Sequence, residues 1–484
     1  MRHLGLIGFV ILIILLATIW RLPPYFQDAV SETPAAGYEV FISPARIVFE
    51  PILGPLLFFM RAHKPAATWF SLIGYGLIAG LILNLRHHWR KSSGGVAGVL
   101  WRSLRSSLSW LPVITAILVT VMLLMLFVPL PCNNIINHNP ETILINFHSH
   151  SYFSYDGFVS PLRLIKWHQR NNFDAFFLTE HNLHQHTLEL VEEQQKGNLP
   201  AEPLLLPGEE FSGSHHILLL GLNRDFNTKG LTDEAAIDSC KKQDGAALVA
   251  HWFQVKRRTR PIAEYIDAGV DGFEIANYAR GIYYKKEYID AIRQNCQRQG
   301  LLMVGDVDYH GYGAANFVWN ALTIPGWRTF DREKKISSIM QILHQRDQSR
   351  VQVLLYRDRQ PIPKSLQVFA PILTLIFYFR SLNHWQLLSW LIWIVIFNRI
   401  YRWCRMGSWR AWIPHSPGAI SAVIGSGCGV ITLMFGIWLL SQYPVIAPTN
   451  RIYIPAGWWL FGLGLLFFVY GLMLLRKIKK LELF

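Results

Sequence analysis

The chain has 484 residues, 51% hydrophobic and only 16% charged, with a mean hydropathy of +0.22. So apolar a composition is foreign to an ordinary soluble protein and calls for membrane segments. The net charge of +14 first suggests nucleic acid. Its location argues otherwise: "RHHWRK" (86–91) and "RKIKK" (476–480) flank apolar runs, where basic residues face lipid headgroups and set topology.

In chain order, Leu4–Trp20 is uncharged and just long enough to cross a bilayer, and it reads as an uncleaved anchor. Residues 21–40, with Pro23, Pro24, Asp28 and Glu32, read as an exposed loop. The run 47–60 carries Glu50, Pro51 and Pro55 and reads as interfacial. Ala67–Leu85 and Leu111–Pro131 are spanning candidates. The segment between them holds Arg86, Arg90, Lys91, Arg102 and Arg105 without an acidic residue, and the positive-inside rule makes it cytoplasmic. The first 131 residues thus form an N-terminal membrane region.

Composition changes at about residue 132. Residues 132–360 are polar and of mixed charge, enough for a soluble domain with a core of its own. Short strand-like runs recur there: "TILINFH", "FDAFFLTEH", "PLLLPGEE", "AALVAH", "DGFEIAN" and "LLMVGDVDYH". Helix-like stretches such as Ser160–Asn171 and Lys286–Gln299 lie between them. The alternation predicts parallel βα units and an α/β barrel, with a doubly wound sheet as the alternative. From 361 to 484 the apolar runs return at 366–379, 385–397, 418–440 and 457–475, forming a C-terminal membrane region. The five cysteines, at 132, 240, 296, 404 and 428, include no CxxC, which excludes a zinc finger, a thioredoxin-like site and a disulfide scaffold. A Cys240–Cys296 bridge stays open if the domain lies in an oxidising compartment.

Most of those runs end in polar or ionisable groups, which is where an α/β barrel builds its active site. The strand ends supply His148, His150, Asp156, His181, Glu210, His251, Asp308 and His310, and His216 opens "HILLLGL". One histidine beside a strand is ordinarily a structural residue. Nine such groups from several strand ends are hard to reconcile with packing, because buried ionisable groups are costly unless paired or metal-bound. They predict a polynuclear metal site. His168, His184, His186 and His215 lie off these positions and read as surface or helix residues. The run "KRRTR" (256–260) reads as a solvated loop, leaving Arg258, Arg260 and Arg280 as weak candidates for holding a phosphate.

The ordered set "HSHSYFSYDG" (148–157), "TEH" (179–181), "GEE" (208–210), "HILLLGL" (216–222), "AH" (250–251) and "DYH" (308–310) resembles the PHP (polymerase and histidinol phosphatase) family. "GFEIANY" (272–278) is similar to the family's segment before its last motif. The resemblance covers about residues 141–355. It implies a distorted (β/α)7 barrel holding two or three divalent ions (Zn, Mn or Fe). In that reading His148 and His150 hold one ion, Glu210 bridges, Asp308 is shared, His181 and His310 complete the cluster, and His216 and His251 hold a further ion. Asp156 is a further metal ligand in this reading, at a position where families differ. Glu180 stands where the family usually has Asp, a position that orients rather than ligates, and Glu209 is a poorer ligand than Glu210.

The resemblance implies hydrolysis of a phosphate ester by a hydroxide bridging the ions, with Glu210 in the bridge and Asp308 or a nearby histidine such as His310 protonating the leaving group. The expected partners are the lipid bilayer and a small phosphate ester or lipid-linked phosphate, with no nucleic acid. The alternatives are a carboxylic ester or carbamate hydrolase using the same cluster, and a metal-binding sensor without turnover. A transporter is disfavoured because the apolar segments show no buried charges. The expected location is a bacterial plasma membrane, crossed several times, with the catalytic domain outside the cytoplasm.

Overall fold

The computed structural model describes all residues except 1–7, 9–10, 13–14, 17–18, 61–64, 92–94, 109, 225, 255–259, 278–285, 407–416, 443–449 and 483–484. The six strand-like runs all form strands, and His216–Leu220 forms another. They belong to a ten-stranded sheet made of β1 (Tyr25–Asp28), β4 (Thr142–Asn146), β5 (Ala175–His181), β6 (Leu204–Ser212), β7 (His216–Leu220), β8 (Ala246–Val249), β9 (Gly272–Asn277), β10 (Leu302–Asp306), β11 (Val318–Thr323) and β12 (Val351–Arg357). Their spatial order is β1-β12-β11-β4-β5-β6-β7-β8-β9-β10. β2 (Tyr38–Phe41) and β3 (Asn134–Asn137) pair separately, antiparallel.

The sheet is mixed. Pairs β4–β5, β5–β6, β8–β9 and β9–β10 are parallel, whereas β1–β12, β11–β12, β4–β11, β6–β7 and β7–β8 are antiparallel. The expectation of a (β/α)7 barrel therefore resolves to a coarser result, a curled mixed α/β sheet. The curl brings β10 back to β11, where the Asn320 side chain accepts from Gly305 N–H at 2.8 Å and donates to Ile145 C=O at 3.2 Å. One apolar layer holds Phe176, Leu178, Ile217, Leu219, Phe273 and Trp319, and the other holds Ile145, Phe177, Leu206, Leu218 and Leu248. Both faces of the strands are buried, which accounts for their nearly continuous apolar runs.

The first correction concerns residues 21–40. They are not wholly an exposed loop: β1 joins the sheet edge against β12 and Phe26 is buried edge-to-face on Trp319 and Tyr356. The predicted helices at 160–171 and 286–299 appear as Pro161–Arg170 and Lys286–Gln299. Cys240 and Cys296 are buried and free, so they form no bridge.

Among the described residues, three helices are long and apolar enough to cross a membrane, namely Val96–Phe127, Ile420–Ser441 and Tyr453–Arg476. Lys364–Ser381 and His384–Ile400 form a pair bent by 112°, and Glu50–Phe59 and Ser71–Arg86 are shorter apolar helices. The predicted anchor 4–20 lies partly outside the described residues. The expectation that the apolar segments hold no buried charge is overturned: Arg46 and Glu50 pair at 3.0 Å, and both are buried. Glu50 also accepts from Tyr378 Oη at 2.7 Å and Gln386 Nε2 at 2.8 Å, so its charge is fully engaged.

Candidate metal centre

Two backbone segments carry four of the nine site residues, and they are zipped together. His150 N–H donates to Tyr309 C=O at 2.8 Å and Asp308 N–H donates to His148 C=O at 3.0 Å. The H-x-H stretch thus lies just past β4, extended beside the D-x-H stretch past β10. Asn146 spans the same joint, accepting from Val307 N–H at 3.1 Å and donating to His148 C=O at 3.0 Å. Asp308 and His251 have φ of 52° and 32°, a left-handed region that non-glycine residues rarely adopt. Such strain persists where surrounding structure enforces it, and it clusters at functional sites. The glycine of "SYDG" answers a close approach, since a Cβ on Gly157 would lie 1.8 Å from Ser151 O.

All nine predicted residues meet in one place. Eight are almost fully buried, and Asp156 has a side chain 28% exposed. Glu210, on β6, is the hub. Its Oε2 lies 3.2 Å from His148 Nε2, 3.3 Å from His150 Nε2 and 2.9 Å from His181 Nδ1. Its Oε1 touches His216 Nδ1 and lies 3.4 Å from His251 Nε2. Asp308 Oδ1 is 3.4 Å from both His148 Nε2 and His150 Nε2, and these two nitrogens are 3.0 Å apart. Asp156 Oδ1 is 3.4 Å from His181 Nε2 and from His310 Nε2.

The donors form three groups of the kind that can hold a metal ion: His148–His150–Asp308, His150–His181–His310 and His181–Glu210–His216, each with ligand atoms within 4.8 Å of one another. Metal–ligand bonds of about 2.1 Å place neighbouring donors about 3.0–3.4 Å apart in octahedral or tetrahedral geometry. The four atoms His148 Nε2, His150 Nε2, Glu210 Oε2 and Asp308 Oδ1 have five separations in that interval. Glu210 Oε2 and Asp156 Oδ1 are buried without a hydrogen-bond donor, as a carboxylate reserved for a cation would be.

Groups behind the cluster fix which ring nitrogen faces inward. His148 Nδ1–H donates to Glu274 Oε1 at 2.7 Å, leaving Nε2 to the centre. Ser154 Oγ donates to Glu180 Oε2 and stands 3.0 Å from His150 Nδ1, so His150 also offers Nε2. His310 Nδ1–H donates to its neighbour Asp308 C=O at 2.8 Å. Such partners raise ligand basicity and hold the ring. Glu180 orients rather than reaching the centre, as its motif position implied.

The electrostatics favour cations. Burial opposes charge on His148, but Glu210, Asp308 and Glu274 outweigh it and hold the imidazole well above its usual range. His181 is held well up against burial by Glu210 and Asp156, and His310 is raised against burial by Asp308 and Asp156. Burial, with His310 and His181 beside it, lowers His150 instead. His216 falls to about 4 through burial, which the Glu210 carboxylate only partly offsets.

Sequence reasoning missed two acids and the burial of three histidines. Glu274 reads as part of an apolar strand, yet its other oxygen accepts from His251 N–H at 2.7 Å. Asp306 is fully buried and accepts from Phe147 N–H at 2.8 Å, and burial together with Glu274 pushes it well up. His168, His184 and His215 are buried rather than on the surface, and His168 lies in the helix Pro161–Arg170, as one half of its reading expected. His215 lies 5.5 Å from the His251 ring, and the "HH" doublet at 215–216 was the only signal for it. Arg260 is no phosphate ligand: it is committed to Asp233, Glu234 and Glu264 at 3.0, 2.6 and 2.8 Å. Arg258 and Arg280 lie outside the described residues.

Fold and side chains together define a mixed α/β domain with a buried carboxylate–imidazole centre of metal-binding type. No family model matches the chain, and no curated protein matches it. Among solved structures, it is similar to a two-domain protein from Bacteroides vulgatus containing a predicted PHP-like metal-dependent phosphoesterase, at 24% identity and a TM-score of 0.34, over 44% of this chain and 64% of that one. The chain thus spans under two thirds of that neighbour's length. It is also similar to a protein from Bifidobacterium adolescentis described as a candidate metal-dependent phosphoesterase (17% identity, TM-score 0.29, 36% of this chain and 89% of that one). A third is an amidohydrolase from Chromobacterium violaceum with bound sulfate and no metal (16%, 0.27, 38% and 95%). Likeness at these scores carries no functional weight, and the side-chain geometry has to do so.

Proposed function

We propose that this chain is a membrane-anchored, metal-dependent phosphoesterase. The supporting observation is the four-atom cage of His148 Nε2, His150 Nε2, Glu210 Oε2 and Asp308 Oδ1, extended through Glu210 to His181, His216 and His251. Five imidazoles converge on one buried carboxylate, more than hydrogen bonding can satisfy, and divalent cations resolve that excess of donors.

In this reading His148, His150, Glu210 and Asp308 hold one ion, Asp156, His181 and His310 a second, and Glu210 with His216 and His251 a third. Bound divalent ions supply Lewis acidity toward a phosphoryl oxygen and lower the pKa of an attacking water. The chain's own part is orientation. Glu274, Ser154 and the Asp308 carbonyl fix the rings. Asp156 is the most exposed member and marks the mouth through which substrate and water enter. His310, with Nδ1–H tied to the Asp308 carbonyl and Nε2 toward Asp156, is committed to the second ion, so the leaving oxygen takes its proton from water at that mouth.

The test uses full-length chain purified in detergent, with elemental analysis and a panel of phosphate and carboxylic esters. About two or more divalent ions per chain and metal-dependent release of phosphate are expected. A metal-free, inactive chain would overturn the reading, and turnover of carboxylic esters alone would transfer the site to that class.

A further inference from the structure

A cavity of about 760 Å³ lies between the domain and the apolar helices, apart from the metal centre. One side is apolar and belongs to the helix ends: Leu126 and Phe127 close the helix Leu111–Phe127, and Trp438 comes from the helix Pro417–Ser441. The other side is a face of the helix Pro161–Arg170. Arg163, Lys166 and Arg170 line the cavity from there, at spacings of three and four that bring them onto one face. Among the described residues, no aspartate or glutamate lines the cavity. The Arg163 guanidinium sits 5.3 Å over the Trp438 ring, which ties the cationic side to the apolar one.

We infer that this cavity binds the phosphate-bearing head group of an anionic lipid drawn from the bilayer. An apolar wall at the ends of bilayer-length helices accepts the upper part of an acyl chain. Three basic side chains with no acidic neighbour in the lining take the phosphate, as clustered Lys and Arg beside apolar helices do. The volume lies within the range of small-molecule sites and suits a head group with its first carbons. Tyr309 and Gly311 line the same cavity, and they bracket His310, so the bound head group lies against the backbone that carries the metal centre. The inference rests on the apolar helices lying in a bilayer. It does not depend on hydrolysis, because binding is measured without turnover.

The experiment measures lipid retained by full-length chain in mixed micelles, using native mass spectrometry with phosphatidic acid, phosphatidylcholine and inorganic phosphate as separate probes. Phosphatidic acid should bind at one per chain, phosphatidylcholine much more weakly, and millimolar inorganic phosphate should not displace it. The triple variant Arg163→Gln, Lys166→Gln, Arg170→Gln should weaken binding about a hundredfold, at about fivefold per basic residue near an anionic head group. The charge-keeping variant Arg163→Lys, Lys166→Arg, Arg170→Lys should retain it, which separates charge recognition from misfolding. Equal binding of phosphatidylcholine, displacement by inorganic phosphate, or full retention in the glutamine variant would each overturn the proposal.

Discussion

Glu274 shows how a residue that touches no substrate can govern the centre. One oxygen takes the His148 Nδ1–H, and the other takes His251 N–H and, at 3.0 Å, Asn277 Nδ2–H. A glutamine there would turn an amide NH2 toward either the imidazole or those two donors, and it would remove the charge that supports His148. Loss of such an orienting partner costs about 10–100-fold in metal affinity. Glu274→Gln should therefore weaken metal retention by that factor in a chelator competition, while His150→Ala should abolish both retention and turnover. Unchanged affinity in Glu274→Gln would remove Glu274 from the support of the site. His168 gives a test that needs no metal. Its Nε2 accepts from Asn146 Nδ2–H at 3.0 Å and its Nδ1–H donates to Leu164 C=O at 3.0 Å, so the ring is held neutral, and burial lowers its pKa to about 3. The unfolded value is about 6.5. Between those values the unfolded chain takes a proton that the folded chain refuses, so stability is intact above about 6.5 and falls by about 1.4 kcal/mol per pH unit below it. His168→Gln should shrink the drop in melting temperature between pH 7 and pH 5, and an undiminished drop would show that this ring does not set the acid limb.

At the scale of elements, the short strand β1 tests whether residues before the first long apolar helix belong to the domain that carries the candidate metal centre. Phe26 is 2% exposed and packs edge-to-face on Trp319 and Tyr356, at centroid distances of 5.6 and 5.9 Å. Phe26→Ala should cost about 3–5 kcal/mol, read as a lower melting temperature of the full chain. A variant as stable as the parent would leave β1 a peripheral strap. This strand was not legible in the sequence. "YFQD" spans four residues beside two prolines, too short for a period of two to stand out, and its place in the large sheet comes from β12, more than three hundred residues away. The strands that end in ligands were legible, because each couples an apolar run to an ionisable end. What hid the antiparallel pairs was topology: "HILLL" is as apolar as its parallel neighbours, and only the tight return from Ser212 to His216 reverses it. The metal centre was readable because its residues recur as H-x-H and D-x-H. Its supports were not, since Glu274 and Asp306 lie in apolar strands whose partners are set by the curl of the sheet.

At the scale of the molecule, the helices fix which end of the apolar layer meets the domain. The helix Leu111–Phe127 arrives there, with Gly313 N–H donating to Leu126 C=O at 2.7 Å. The helix Tyr453–Glu482 departs there: Asn450 caps it and donates to the carbonyls of Tyr152, Ser154 and Gly157 at 3.1, 2.9 and 2.8 Å, in the loop that carries Asp156. Arg476 therefore lies about 36 Å along the axis from the domain, at 1.5 Å per residue over the 24 residues Tyr453–Arg476. Arg102 and Arg105 precede the arriving helix and lie toward its other end as well. If clustered basic residues stay cytoplasmic, the domain faces away from the cytoplasm. Lys196, exposed on the domain, gives the measurement. Lys196→Cys in full-length chain should react with a membrane-impermeant maleimide on intact cells, and a fluorescent protein fused after Phe484 should fold and shine inside. Labelling that appears only after the cells are opened would place the domain inside and reverse the assignment of every basic segment.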